Sequence, residues 1–115
     1  SGLQTLMAAS SIVNGGLLVR PTLILGAAGA QTSQDRQEIR IVSPQTAHRM
    51  RQLMRLVVTE GTAKTANVPG YRVGGKTGTA EKRFTNRKGY DRSRKMSSFI
   101  AFFPMEAPRY GIYVM

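Results

Sequence analysis

A short stretch of the sequence combines one lysine, two hydroxyls and a glycine in a pattern that can bind an anion. The residues are Lys76, Thr77, Gly78 and Thr79. An ammonium group beside hydroxyls and backbone N–H groups suits a carboxylate or a developing oxyanion, since each hydrogen bond to a charged group contributes about 1.5–3 kcal/mol. A glycine between the threonines leaves the backbone open to close approach of a ligand. The pattern therefore predicts a substrate-binding segment.

The apolar and aromatic residues before this stretch predict that it lies on a β-strand, over about Tyr71–Ala80. Side chains alternate faces along a strand, so Lys76 and Gly78 are expected on one face and Thr77 and Thr79 on the other. Tyr71 and Val73 are expected to be structural.

Two other local structures fit the same residues. One is a glycine-rich turn with a solvated lysine. The other is a phosphate-binding loop, because the segment from Gly70 to Thr77 satisfies the string G-x-x-x-x-G-K-T. Such a loop is followed by a long helix, whereas Gly78 stands where that helix would begin and a polar, basic segment follows. The context favours the strand.

Lys76-Thr77-Gly78 resembles the Lys-Thr-Gly motif of the penicillin-recognising serine enzymes. The wider sequence resembles the transpeptidase domain of class B penicillin-binding proteins, and most of all the cell-division type. The resemblance covers nearly all 115 residues and includes the segments Gly61-Thr62-Ala63, Ser98-Phe99-Ile100, Phe103-Pro104 and Pro108-Arg109-Tyr110.

This resemblance implies a peptidoglycan D,D-transpeptidase that attacks the D-Ala-D-Ala end of a stem peptide with a serine and is acylated by β-lactams. It implies catalytic roles for Lys76, which would support the serine and its neighbouring lysine, and for Thr79, whose backbone N–H would line the oxyanion hole. Thr77 would bind the carboxylate of the substrate or β-lactam, and Gly78 would provide clearance. The implied partners are the stem peptide, β-lactams, upstream segments of the same domain and division proteins.

The nucleophile is expected to lie outside these 115 residues. The family takes its serine and base from Ser-x-x-Lys and Ser-x-Asn patterns, and neither pattern occurs in this sequence. The nearest candidate, Ser11-Ile12-Val13-Asn14, has one residue too many. We interpret residues 1–115 as the C-terminal portion of a transpeptidase domain, inactive alone. The parent would be anchored in the cytoplasmic membrane, with this domain on the periplasmic side.

Such a portion is expected to expose an apolar sheet face, and so to oligomerise or to fold marginally. A serine β-lactamase or a D-Ala-D-Ala carboxypeptidase would share Lys-Thr-Gly. The extended match from Gln4 to Gly16 and around Phe99 favours the division transpeptidase.

The charge leaves a different class of protein open. Seventeen Lys and Arg residues against six Asp and Glu residues give a net charge of +11, which also fits a nucleic-acid-binding module. The cations do not form one stripe with interleaved aromatics, so nucleic acid is not the favoured partner. With no cysteine and only His48, thiolate and clustered histidine metal sites are excluded, and we expect no metal and no cofactor.

The hydrophobic periodicity predicts an α+β fold with helices packed on one side of a sheet. The first half is predicted to contain a helix at Leu3–Val13 that stops at Asn14-Gly15-Gly16, an extended segment at Leu17–Leu25, a surface loop at Gly26–Gln37 and a short strand at Glu38–Val42. A second helix is predicted to begin at Ser43-Pro44 and end at Glu60-Gly61, with an apolar face of Ala47, Met50, Leu53, Met54, Val57 and Val58.

The remainder is predicted to form a three-stranded antiparallel meander, part of the penicillin-binding and serine β-lactamase-like fold. After the motif strand come a solvated basic loop at Ala80–Lys95, a strand at Met96–Phe103, a turn at Pro104–Pro108 and a strand at Arg109–Met115. The charges of the loop would keep the sheet edge soluble, with a minor part in guiding an anionic substrate.

Overall fold

The computed structural model describes residues 1–24 and 38–115, which form two compact units, residues 1–50 and 51–115. The predicted loop Gly26–Gln37 and the end of the predicted extended segment, at Leu25, lie outside the described residues. Among the helices of the described ranges, none combines the length and the apolar character needed to cross a bilayer.

Helix α1 spans Gly2–Val13 and begins with a capping box, in which the Ser1 hydroxyl accepts from the Gln4 N–H at 3.3 Å. Glycines at positive φ follow the helix and end it, as predicted (Gly15 φ 103°, Gly16 φ 94°). Leu3, at the start of this helix, is 55% exposed. Ser11 is fully buried instead, because its hydroxyl donates to the Met7 carbonyl and accepts from the Val19 N–H, both at 2.8 Å.

The predicted strand at Glu38–Val42 is wrong: the structure has only an isolated bridge between Leu17 and Arg40. Two short backbone hydrogen bonds flank that bridge, from Leu18 N to Ile39 O at 2.7 Å and from Ile41 N to Gly16 O at 2.8 Å. Beside the bridge, the Val19 N–H donates to the Ser11 hydroxyl at 2.8 Å.

Helix α2 spans Pro44–Thr59 and begins where the sequence predicts, with the Ser43 hydroxyl accepting from the Thr46 N–H at 3.1 Å. Ala47, Met54 and Val58 of the predicted apolar face are buried and Met50 and Val57 are half-buried. Leu53 is 55% exposed, so its predicted burial is wrong. The segment after the helix includes a single 3-10 turn at Lys64–Ala66.

The three-stranded antiparallel meander is confirmed, with strand order β1-β2-β3. Its strands are β1 (Gly74–Arg83), β2 (Tyr90–Phe103) and β3 (Tyr110–Val114). The motif strand therefore starts later and runs further than predicted. Most of the predicted basic loop is strand, and only residues 84–89 connect β1 to β2.

Residues of opposite charge lie across from each other where the strands continue into this basic segment. Glu81 lies opposite Lys95, and Lys82 lies opposite Asp91, with a register irregularity between Glu81 and Lys82. Opposite charges facing each other across two strands are stabilising. The predicted loop was based on the excess of positive charge in this segment, and the strand register could not be predicted from it.

The core of residues 51–115 is a cluster of Val58, Ala63, Val73 and Ala101, with Val57, Ala66, Phe99 and Phe103 packed against it. Phe103 also stacks on Tyr110, with ring centroids 5.2 Å apart. At the far edge, alternate residues of β3 share one face, and Tyr110, Ile112 and Val114 are each about half exposed. Oligomerisation through such a face stays a prediction, which light scattering can measure.

Candidate active site

Two hydrogen bonds from other segments hold the backbone just before β1. Arg55 of α2 donates from Nη1 to the Val73 carbonyl at 2.6 Å, and the Met105 N–H donates to the Arg72 carbonyl at 2.9 Å. Arg55 is half-buried, although the helical pattern placed it away from the apolar face. Its guanidinium thereby fixes where the motif strand begins.

The first two residues of β1 are glycines because other chain segments occupy the space of a side chain. A Cβ on Gly74 would lie 2.5 Å from Met105 Cγ and 3.1 Å from the backbone nitrogen of Arg55. A Cβ on Gly75 would overlap the Ile100 carbonyl oxygen and lie 2.8 Å from the Phe99 ring. Both glycines are buried. This close packing sets the position of the next four residues.

Lys76 is exposed, and its ammonium donates to the backbone carbonyl of Thr77 at 2.7 Å. It lies opposite Ile100 in the register with β2. The ammonium is thus held beside the strand by its own neighbour and can reach a ligand there.

Thr77 is half-buried, and its hydroxyl oxygen lies 2.9 Å from that of Thr62. Either hydroxyl can donate in this pair, so Thr77 can direct its proton to Thr62 or to a ligand. The sequence analysis used Gly61-Thr62-Ala63 for the resemblance and missed Thr62 as a site residue. No spacing rule links two threonines on separate segments, and only the fold brings them together.

Gly78 and Thr79 complete the motif. Gly78 lies opposite Ser98 and is half-buried, and a Cβ there would meet only the Ser98 hydroxyl oxygen, at 2.8 Å. Thr79 is exposed and lies opposite Ser97. Ser98 was part of the resemblance and not of the predicted site.

The four predicted site residues therefore lie consecutively on one strand, at the edge of the described sheet. A continuous strand through Lys76 and Thr77 excludes both the glycine-rich turn and the phosphate-binding loop with its following helix. Within residues 1–24 and 38–115, no group of three or more His, Asp or Glu side chains is arranged to hold a metal ion. What the strand offers is a cation, a hydroxyl and backbone groups for an anion.

Comparison with known proteins decides which family carries this strand. The family described as the penicillin binding protein transpeptidase domain matches residues 1–115. The chain belongs to this family. Stage V sporulation protein D of Bacillus subtilis is 36% identical to the chain over 118 aligned residues, which cover 97% of the chain and 18% of that protein. The probable peptidoglycan D,D-transpeptidase FtsI of Caulobacter vibrioides is 35% identical, with 100% of the chain and 20% of that protein covered.

The fold agrees with this membership. The crystal structure of penicillin-binding protein 3 from Mycobacterium tuberculosis complexed with ampicillin superposes with a TM-score of 0.82 at 35% sequence identity. The match covers 98% of this chain and 27% of that one. The chain thus spans about a fifth of the length of these two curated relatives and about a quarter of this structure.

Proposed function

We propose that this chain is part of a peptidoglycan D,D-transpeptidase and supplies its substrate-binding strand. The observation that carries the proposal is the placement of Lys76, Thr77 and Gly78 on an edge strand, β1, of a chain matched throughout by the transpeptidase family. An edge strand leaves the backbone groups of alternate residues without a partner in the sheet, which is what a peptide substrate needs in order to bind beside it.

In this proposal the substrate's terminal carboxylate binds at Thr77, with Lys76 supplying positive charge. The hydroxyl of Thr77 already has one partner in Thr62, at 2.9 Å. Donation to a ligand therefore requires Thr62 to become the donor within the pair, which a hydroxyl pair permits. The carboxylate would gain a charge-assisted hydrogen bond, stronger than one between neutral groups.

The oxyanion is assigned to the backbone N–H of Thr79. The Thr77 carbonyl accepts its hydrogen bond from a lysine side chain, which fits a position on the unpaired edge of β1. Backbone groups of residues two apart point the same way along a strand, so the Thr79 N–H is directed to that edge as well. Gly78 lies between them without a side chain to block the approach.

The chemistry proposed for the whole enzyme is acyl transfer. A serine outside residues 1–115 attacks the carbonyl of the penultimate D-Ala, and its proton passes to a neighbouring base. The tetrahedral oxyanion donates its electron pair back, the peptide bond breaks, and the terminal D-Ala leaves with a proton on its new amine. An amine of a second stem then displaces the serine, which restores the enzyme and completes the cross-link. A β-lactam would acylate the same serine.

The parent protein is proposed to act in septal wall synthesis with division proteins as partners, anchored in the cytoplasmic membrane with this domain on the extracytoplasmic side. Similarity to a probable FtsI transpeptidase supports this placement. Residues 1–115 are proposed to be the C-terminal portion of the transpeptidase domain, inactive without the segments that carry the serine and its base.

Labelling with a fluorescent penicillin, followed by denaturing electrophoresis, tests the proposal. The 115-residue chain is compared with a form extended upstream in its parent gene through the nearest Ser-x-x-Lys. Label on the extended form alone is expected. Label on neither form would contradict the proposal, and label on the short chain would place the nucleophile within it.

Substitutions in the extended form test the individual roles. Thr77→Val is expected to lower the acylation rate about 10- to 100-fold, through loss of a hydrogen bond to a charged group. Thr77→Ser should restore it. Lys76→Ala should cost about 100-fold or more, in the range of other lost electrostatic contacts to a transition state. Lys64→Ala is the matched control, because Lys64 is an exposed lysine outside the motif.

The backbone role of Thr79 needs a different pair of variants. Thr79→Ala keeps the N–H and is expected to leave acylation within about threefold of the original rate. Thr79→Pro removes the N–H, and an edge strand tolerates proline where its N–H faces outward, so folding should survive while acylation falls about 100- to 1,000-fold. Circular dichroism checks the fold. Equal rates in the folded proline and alanine variants would remove Thr79 from the oxyanion hole.

A further inference from the structure

The distal part of the β1–β2 hairpin, residues 81–95, concentrates the positive charge of the chain. We call it the basic hairpin end. It holds two carboxylates, Glu81 and Asp91, against seven cations, so it carries five of the eleven net positive charges of the protein. The cations are Lys82, Arg83, Arg87, Lys88, Arg92, Arg94 and Lys95. All seven side chains are exposed.

The structure leaves these charges available to a partner. Throughout the described ranges, no carboxylate oxygen lies within 4 Å of any of the seven cations. Asp91 turns to its own neighbour, accepting from the Ser93 N–H at 3.0 Å and from the Ser93 hydroxyl at 2.5 Å. Arg87 lies over the Phe84 ring at 3.8 Å, a contact that leaves its charge unneutralised.

The register adds a second feature, a bulge that carries arginines. Lys95 pairs with Glu81 and Asp91 pairs with the next β1 residue, Lys82, so the residues between them on β2 have no partner on β1. Two of these residues are Arg92 and Arg94. Bulges re-aim side chains away from the regular ladder. This one adds two guanidinium groups, whose planar forks suit carboxylates.

The basic hairpin end continues the motif strand. Lys76 and Lys82 lie on the same strand, about 20 Å apart at about 3.3 Å per residue. The next step rests on the proposed function. If the terminal carboxylate binds at Thr77 and the scissile carbonyl at Thr79, the part of the peptide before the scissile bond must extend past Ala80 toward the hairpin.

We propose that the basic hairpin end binds carboxylate groups carried by the substrate peptide upstream of its D-Ala-D-Ala end. The partner is an acidic peptide strand laid along β1, held at one end by Lys76 and Thr77 and at the other by exposed arginines and lysines. Exposed ion pairs are individually weak, so affinity comes from several contacts and falls as salt screens them. A bilayer of anionic lipids could also bind these cations. The continuity of the hairpin with the motif strand favours a peptide as the ligand.

Fluorescence anisotropy with two labelled pentapeptides tests the proposal on the form extended upstream in the parent gene. Both peptides end in D-Ala-D-Ala, and they differ only in two upstream positions, acidic in one peptide and amidated in the other. The acidic peptide is expected to bind about 10-fold more tightly at low salt, and the difference should shrink at 150 mM salt.

Two variants that remove the same amount of charge test whether the preference for the acidic peptide depends on the hairpin. K82Q/R83Q/R92Q/R94Q should abolish it, whereas R20Q/R49Q/K64Q/R109Q, which removes the same charge from exposed sites elsewhere, should keep most of it. The charge-conserving variant R83K/R92K/R94K should also keep it. Melting curves confirm that each variant folds.

The other outcomes are distinct. Equal affinity for the two peptides, with binding still lowered by Thr77→Val, overturns the role of the hairpin and leaves the proposed function standing. The same conclusion holds if neither peptide binds while the extended form is labelled by penicillin. Failure of both assays overturns both proposals. If the chain binds phosphatidylglycerol vesicles through the hairpin and shows no preference between the peptides, the basic hairpin end is a lipid-binding surface. That result overturns the proposal of an acidic peptide ligand.

Discussion

The two halves of strand β1 differ in what surrounds them. From Gly74 to Gly78 the backbone is buried or half-buried, except at Lys76, and packs against Met105, Ile100 and the ring of Phe99. From Thr79 to Arg83 every residue is exposed, and the partner strand is bulged. In the first half of this strand, packing contacts fix the position of the backbone. In the second half, the side chains are solvent-exposed and charge dominates their interactions. Adding atoms to the first half should therefore lower stability, whereas removing charge from the second half should weaken ligand binding.

The largest effect is expected from adding a methyl group at Gly75. In Gly75→Ala the new Cβ would overlap the Ile100 carbonyl oxygen, which backbone pairing holds in place, so the free energy of unfolding should fall by about 1–3 kcal/mol. Gly78→Ala is the matched change, because its Cβ meets only a hydroxyl that can rotate. Its unfolding free energy should stay within about 1 kcal/mol of the original. Urea titration measures both, and equal losses would contradict the packing difference.

A comparable loss is expected from removing Arg55, which holds the residue before the first half of β1, and a much smaller one from removing Arg87, which lies beyond the second half. Arg55→Met removes the 2.6 Å hydrogen bond to the Val73 carbonyl and leaves that carbonyl unpaired, at a cost of about 1–3 kcal/mol in unfolding free energy. Arg87→Met removes an exposed contact with Phe84 and should change stability by less than about 0.5 kcal/mol. Thermal melting with calorimetry compares the two. A larger loss from Arg87→Met would mean that the hairpin contributes structurally, beyond its charge.

The smallest effect is expected on the pKa of Asp91, in the second part of the hairpin. Hydrogen bonds from the Ser93 hydroxyl and N–H hold the pKa of this carboxyl below its usual value. A lowered pKa means that the stabilisation is present above the unfolded-state pKa and is lost as pH falls through the folded-state value. Ser93→Ala should therefore raise the pKa of Asp91, as a pH titration of its side-chain carboxyl ¹³C shift can measure. An unchanged pKa would show that the Ser93 hydroxyl is not the cause.

Local pattern was sufficient for several parts of this protein. Ser43-Pro44 predicted the start of α2 because a hydroxyl cap and a proline act within one turn. The apolar and aromatic residues before Lys76 predicted a strand through the motif, and the structure has that strand. The resemblance carried by Lys-Thr-Gly and the surrounding segments predicted the family, which the comparison confirms. These signals depend on residues a few positions apart, so they can be read along the chain.

Other features depended on residues distant in sequence. The expected strand at Glu38–Val42 is reduced to an isolated bridge between Leu17 and Arg40. The basic segment is strand, with Glu81 opposite Lys95 and Lys82 opposite Asp91 in the register of β1 and β2. The hydroxyl of Thr77 is hydrogen-bonded to that of Thr62, and Arg55 donates a hydrogen bond to the Val73 carbonyl. The sequence by itself determined which groups this protein can present to an anion. Only tertiary structure decided their neighbours, because burial and long-range hydrogen bonds exist only once distant segments meet.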